Sequence, residues 1–412
     1  MLQSDLLIVG AGIGGLSAAM ALCRSPWLTI DRGPMKHGSP SPAIVVLERA
    51  AELAELGAGL QIGPNATRLL TAWGLGPRLD ACAVRPEQLQ VRDAQDGRIL
   101  GVMRLGSEFR RRYGADYLTM HRADLHGALL QALEAEPVQL KTGTSVQSVL
   151  PGVDFMEVVT DSGQRLRSAA LLACDGLWSQ TRGQLLGDDA ARASGHRAYR
   201  ATLNCRDVPM ASRVSQVCVW LGPHMHAVAY PVRSGAQLNL VMIVQASDNA
   251  RTRPLEDGLW DQRVDGAWLR DLPPLHASLL EITSGVSSWR VWPLFDRPPL
   301  SGPQQMARGR FALLGDAAHP MRPYLAQGAA MAIEDAATLA AQLSESPTNP
   351  ALAFGRYAEL RWRRNARVQR RSRRNGLIFH ADGLLRQARN LSMRLGGERV
   401  MDLPWLYGGG SG

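Results

Sequence analysis

Lysine is almost missing from this chain. Of its 46 basic residues only Lys36 and Lys141 are lysines, and the rest are arginines. Cysteine is scarce as well: Cys23, Cys82, Cys174, Cys205 and Cys218 are scattered, odd in number and never in C-x-x-C spacing. That excludes a thiol-built zinc site and fits reduced, mostly buried thiols; no metal is expected. No apolar run is long enough to span a bilayer, so a transmembrane segment is not expected. The start, MLQSDLLIVGAGIGGLSAAMAL, is apolar but lacks a basic leader, and its glycines fall at meaningful spacing. It is therefore not a signal peptide, and a cytoplasmic location is the expectation. Internal repeats are absent.

What is present is ordinary globular material: 412 residues, 45% hydrophobic and 20% charged, with a net charge of +9. Much of the positive charge lies in RWRRNARVQRRSRRNG, Arg361 to Gly376. The stretch lacks the interleaved aromatics of a single-strand binder. It is read as a helix with a solvated basic face, some of whose arginines pair with acids elsewhere, and nucleic acid is not an expected partner.

Three stretches carry the chemistry. In the first, a short strand DLLIVG (Asp5 to Gly10) runs into GAGIGG and then a helix. Gly10 permits the tight turn, Gly12 lets the backbone approach a pyrophosphate, and Gly15 lets helix and strand pack closely. The helix start offers free N–H groups to phosphates. The next strand, AIVVLE, ends in Glu48, placed for a ribose hydroxyl. The linker between, residues 25–42, is long and reads as a surface insertion. In the second stretch, LLACDGLWSQTRGQL, a buried strand ends at Asp175-Gly176, and Ser179 and Arg182 enter a helix. In the third, LLGDAAHPMRPYLAQGA, a buried strand ends at Asp316, a proline-stiffened turn follows, and a helix begins near Gly328. His319 in that turn is read as structural.

Between these motifs, GLQIGPNATRLLTAWGL reads as a loop entering a helix capped by Asn65. Hairpin turns are expected at Asp96-Gly97 and Ser162-Gly163. From about Ala193 to Leu294 the pattern changes to alternating strands, which suggests a mostly antiparallel sheet. In GPHMHAVAYPV, alternation puts His226, Val228 and Tyr230 on one face.

With GAGIGG, CDGLWSQTR and GDAAHPMRPYLAQGA in this order, the whole chain resembles the single-component FAD-dependent aromatic hydroxylases. The likeness is greatest to the branch of salicylate hydroxylase, 3-hydroxybenzoate 6-hydroxylase and 6-hydroxynicotinate 3-monooxygenase. GLQIGPNA, HRADLHGAL and RVQRRSRRNG look like that branch too. The resemblance implies an α/β fold: a Rossmann-like FAD-binding domain (1–85, 121–190 and 296–345) with an interleaved, mostly antiparallel substrate domain (86–120 and 191–295). C-terminal helices (350–407) and a flexible tail (408–412) would follow.

It also implies FAD held by Gly10, Gly12, Ile13, Gly14, Gly15, Glu48, Arg49, Arg122, Asp175, Asp316, Gly328 and Ala329, with Gln61 near the flavin. NADH or NADPH would be co-substrate, without a second GxGxxG to hold it. O2 would become a flavin C4a-hydroperoxide that hydroxylates a small, electron-rich aromatic substrate, a phenol or hydroxy-aromatic acid. His226 and Tyr230 match a His-x-x-x-Tyr pair that lines the family's substrate pocket, but Ala229 stands where a second histidine often precedes the tyrosine. A histidine there suits deprotonation of a phenol. Arg322 would attract a carboxylate or point into solvent, and Trp220, Trp289 and Trp292 would wall the pocket or pack the core. A monomer or homodimer is expected. The alternatives are an epoxidase or hydroxylase of a larger polyketide- or quinone-type substrate, an NAD-dependent dehydrogenase, and a non-enzymatic binding protein.

Overall fold

The computed structural model describes residues 2–29, 43–53, 59–187, 190–208, 216–246 and 261–409. Most of the 25–42 linker and the last three residues lie outside these. The expected first strand is Leu2–Val9, and its Leu6, Leu7, Ile8 and Val9 are all buried. A strand apolar on both faces needs cover on both, which a parallel sheet provides. Leu2–Val9 pairs in parallel with Ile44–Leu47 on one side and Arg165–Ala173 on the other. Val138–Lys141 and Phe311–Leu313 extend the parallel set outward. Ala307–Arg308, Met156–Thr160 and Val146–Pro151 complete eight strands by antiparallel pairing.

A second eight-stranded sheet carries alternating residues. Its order in space is Gln262–Val264, Trp289–Asp296, Arg192–Asn204, Gln237–Gln245, Met225–Val232, Val217–Gly222, Gln88–Asp93 and Ile99–Arg104. All pairs are antiparallel except Val217–Gly222 with Gln88–Asp93. The hairpin between the last two strands turns at Gly97, in the left-handed region at φ 72°. The second expected turn has Gly163 at φ 77°. A small ribbon, Gly59–Ile62 with Leu118–His121, packs against Met225–Val232 of the second sheet. Its Gly59 backbone N–H donates to Asn239 Oδ1 of the second sheet at 2.8 Å. A Cβ on Gly59 would come within 2.6 Å of Tyr230 and Asn239.

Asn65 is not the cap of its helix. The helix is Pro64–Ala72 with Gly63 at the cap. Proline fits the first helical position because it has no N–H to satisfy. Asn65 then falls inside the helix, buried, where its amide donates to Gln327 and Glu334.

The arginine-rich stretch lies in the long helix Pro350–Phe379, packed on Gly328–Glu345. Arg361 reaches Glu334 (2.8 Å) and Asp335 (2.7 Å), and Arg364 reaches Glu334 at 2.6 Å. All four side chains are buried. Burial pushes both carboxyls up, but the arginine charges, with His319 beside Asp335, outweigh it and hold them below the usual range. Arg373 pairs with Asp296, while Arg370 and Arg374 are exposed. The stretch is thus partly an internal clamp and partly a solvated face. No helix among the described residues is long and apolar enough to cross a membrane.

Candidate active site

Four strands of the first sheet end at the same edge, where ligands of open α/β sheets bind. After Leu2–Val9 the chain turns at Gly10, at φ 102°, a conformation a side chain rarely adopts. A Cβ there would lie 2.5 Å from the Cys174 carbonyl oxygen. A Cβ on Gly15 would lie 1.9 Å from the Gly10 carbonyl oxygen, so only glycine lets the helix Ile13–Cys23 sit this close. A Cβ on Gly12, by contrast, would meet open space. Glu48, after the second strand, accepts from the Ala11 N–H (2.8 Å) and the Ala50 N–H (3.0 Å). A carboxylate has about four acceptor positions, so capacity remains.

The second and third motifs are joined directly. Ser179 caps the helix Gln180–Leu186 by accepting from the Arg182 N–H. The Arg182 side chain, buried, donates to the carbonyls of Ala317 (3.0 Å) and Ala318 (2.9 Å). Asp175 accepts from the Thr181 N–H through Oδ2; its Oδ1 is buried without a hydrogen-bond partner. Asp316 opens into the cavity described below. Burial within the cleft pushes its carboxyl up, against the charges of His319 and Arg122. His319 does not reach the cavity. It is fully buried and hydrogen-bonds through Nε2 to Asp335. Arg322 is bound to Asp296 at 2.7 Å and lines neither of the cavities described below. Ala326 has φ 51°, one residue before the cap of the helix Gly328–Glu345. A left-handed alanine stores strain, as residues at functional sites often do.

These parts enclose a cavity of about 550 Å³. Gly10, Gly12, Ile13, Gly14, Glu48, Arg49, Arg122, Asp175, Asp316, Gly328 and Ala329 all line it, as do Gln61, His226 and Tyr230. Gly15 packs behind it. A smaller chamber of about 180 Å³ adjoins it and shares Gln61, His226, Val228, Pro323 and Ala326 with it. The walls of this chamber are mostly apolar, among them Leu89, Val91, Met103, Val219, Leu221 and Leu403.

His226 stands at the junction. Its Nδ1 is 2.8 Å from Nε2 of His380, which leaves its own Nε2 for a ligand. Burial first, then the His196 charge, lowers His226 to about 3, so its ring is neutral at ordinary pH. The rings of Tyr324 and Phe379 pack against it. Burial raises the Tyr230 hydroxyl, against the charge of Arg200 and a hydrogen bond donated by Gln61. Gln61 also accepts from the Tyr117 hydroxyl at 2.8 Å. The three tryptophans do not wall either cavity. Trp220 and Trp289 are fully buried in the core, and Trp292 lies under Arg200. Trp178 lines the large cavity instead.

A family model described as an FAD binding domain matches residues 3–371. The 3-hydroxybenzoate 6-hydroxylase of Klebsiella oxytoca is 34% identical over 98% of this chain and 96% of its own length. That of Polaromonas naphthalenivorans is 35% identical over 98% and 95%. The chain belongs to the FAD-dependent aromatic hydroxylases. Among solved structures, a salicylate hydroxylase–substrate complex matches with a TM-score of 0.80 at 21% identity, covering 100% of this chain and 96% of that one. HpxO of Klebsiella pneumoniae with FAD and uric acid matches at 0.79 and 23%, over 97% and 94%. These two likenesses show the fold. The hydroxylase is thus an enzyme that uses FAD, NAD(P)H and O2 to hydroxylate an aromatic ring.

The site fits the cofactor on its own terms. The unpartnered Asp175 Oδ1, the open space over Gly12 and the helix start at Gly328 all belong to one cavity of nucleotide size. Sequence reading did not find His380, Tyr324, Tyr117, Arg200, Trp178 or Arg371. Arg200 lies on a strand and Arg371 on a helix, while Tyr117, Trp178, Tyr324 and His380 lie in turns or at element ends, where residue type alone does not say which way a side chain faces.

Proposed function

We propose that this hydroxylase acts on a monocyclic hydroxy-aromatic acid in the small chamber beside His226. The observation that carries the reading is the joining of that apolar chamber to the large cavity through His226, Val228, Gln61, Pro323 and Ala326. A space of this size takes one ring with a few substituents. The 3-hydroxybenzoate 6-hydroxylases, and the 3-amino-4-hydroxybenzoate 2-monooxygenase of Streptomyces platensis at 33% identity, are named for such substrates.

In this reading Gly10, Gly12, Ile13, Gly14, Glu48, Arg49, Arg122, Asp175, Asp316, Gly328 and Ala329 hold FAD, and Gly15 holds the turn in shape. The Gly328 helix directs its positive end toward the flavin. Bound FAD supplies the reduction by NAD(P)H and the activated oxygen. The protein positions the ring and excludes water from the chamber. His226 Nε2 accepts a hydrogen bond from the phenol, and its neutral state keeps that lone pair free. The bond from Nδ1 to His380 holds the ring with Nε2 turned to the substrate. Tyr230, held by Gln61, fixes the other edge of the site. The division into FAD-binding and substrate domains at 86, 121, 191 and 296, a monomer or homodimer, and a cytoplasmic location belong to the same reading.

The test is a visible spectrum of the purified protein, followed by NADH and NADPH oxidation against hydroxybenzoates and larger phenols with product analysis. A yellow protein stimulated by one monocyclic acid, yielding its hydroxylated product, is the expected result. Stimulation only by fused-ring phenols would move the substrate to the larger polyketide or quinone class.

A further inference from the structure

The small chamber is apolar, yet one permanent cation lines it. Arg371 sits on the helix Pro350–Phe379, one turn before Asn375, which lines the same chamber. The arginines around it are accounted for. Arg361 and Arg364 bind Glu334, Arg373 binds Asp296, Arg367 lies over the Trp405 ring at 3.9 Å, and Arg370 and Arg374 are exposed. Arg371 has no carboxylate within ion-pair distance among the described residues, and its Nε is buried without a hydrogen-bond partner. Arginine does not escape this by losing its proton. Arg371 is half-buried, and the part of a guanidinium that lies against apolar walls is costly unless an anion meets it. Burial accordingly lowers its pKa, and the neighbouring Arg374 adds to that effect.

We infer that Arg371 is the anion-binding residue of the chamber and takes the carboxylate of the aromatic substrate. The inference rests on the chamber being the substrate site. Arg371 and His226 both line this chamber of about 180 Å³. A ring held between them carries its acid toward Arg371 and its hydroxyl toward His226 Nε2. Planar two-point pairing of guanidinium with carboxylate then fixes the ring in its plane as well as its position. Arg200, whose Nε is also buried without a hydrogen-bond partner, lines the large cavity and not this chamber.

The test uses the FAD-loaded enzyme. Flavin absorbance is followed while wild type, Arg371→Met, Arg371→Lys and Arg200→Met are titrated with 3-hydroxybenzoate, salicylate and 4-hydroxybenzoate, each beside its neutral amide. For the acid that stimulates NAD(P)H oxidation, wild type should bind acid at least about tenfold tighter than amide, the scale of one charge-assisted pair. Arg371→Met should abolish the preference by weakening the acid alone, at unchanged flavin content, and Arg371→Lys should keep part of it. Equal binding of acid and amide by wild type overturns the inference while leaving the hydroxylase intact. So does a preference that survives Arg371→Met or disappears with Arg200→Met. If neither acids nor amides bind or stimulate, the monocyclic substrate reading fails and the inference falls with it.

Discussion

Single side chains divide the work of this site into holding and proton handling. Asp316 opens into the cavity from the turn between the strand Phe311–Leu313 and the helix Gly328–Glu345, and its replacement should be felt by the cofactor first. Asp316→Ala is expected to purify with little or no flavin, read as the ratio of flavin absorbance to protein. Full yellow protein would remove Asp316 from the cofactor site. His226 should behave oppositely. His226→Ala is expected to keep its FAD and lose about 100-fold or more in kcat, the usual scale of a positioned acid–base group. Unchanged turnover would show that the phenol needs no partner there. The depressed pKa of His226 means that its protonation does not set the acid limb of the activity profile near pH 6.5.

The helix pair Gly328–Glu345 and Pro350–Phe379 is held by ions where most helix pairs are held by apolar packing alone. Glu334 and Asp335 are neighbours in sequence, both buried, and meet Arg361 and Arg364 from the facing helix. Arg361→Met leaves Asp335 without its arginine. The expected loss is about 3–5 kcal/mol in a urea titration. The strand ends and the glycine turn of this half are legible in sequence because each is a contiguous stretch with its own chemistry: an apolar run, then a glycine or acid that only a turn explains. The helix pair is legible as two helices, but its ion network is not, since charge pattern alone does not say which face is inside. The same ambiguity conceals Arg371 in a run that reads as surface. His380 is hidden by distance, 154 residues along the chain from the histidine it touches. The Asn65 cap is misread because Pro64 claims the first helical position, and the tryptophans because large apolar side chains suit a core as well as a pocket.

Across the molecule, the buried histidine pair makes stability depend on pH. Burial lowers both His226 and His380, with His196 acting on each. An unfolded chain binds protons at these positions below about 6.5, whereas in the folded chain His226 does not until about pH 3 and His380 is lowered further. Stability therefore falls as pH drops through this window, by about 1.4 kcal/mol per pH unit for each histidine. The double variant His226→Phe, His380→Phe should flatten the fall of the urea midpoint between pH 6.5 and 4, and an equally steep fall would place the acid sensitivity elsewhere. Synthesis order gives the buried ion network a further consequence. The ribosome makes the cofactor turn before the two acids Glu334 and Asp335. Arg361 and Arg364 come later still, and the Trp405 and Leu406 carbonyls that Arg364 also binds follow them. Until those residues emerge, the nascent chain carries two acids without their arginines, with Asn65 to meet Glu334 and His319 to meet Asp335. A chain terminated ahead of Arg361 should therefore be cleared as an unfolded fragment and not persist as a half-enzyme that reduces flavin and leaks peroxide.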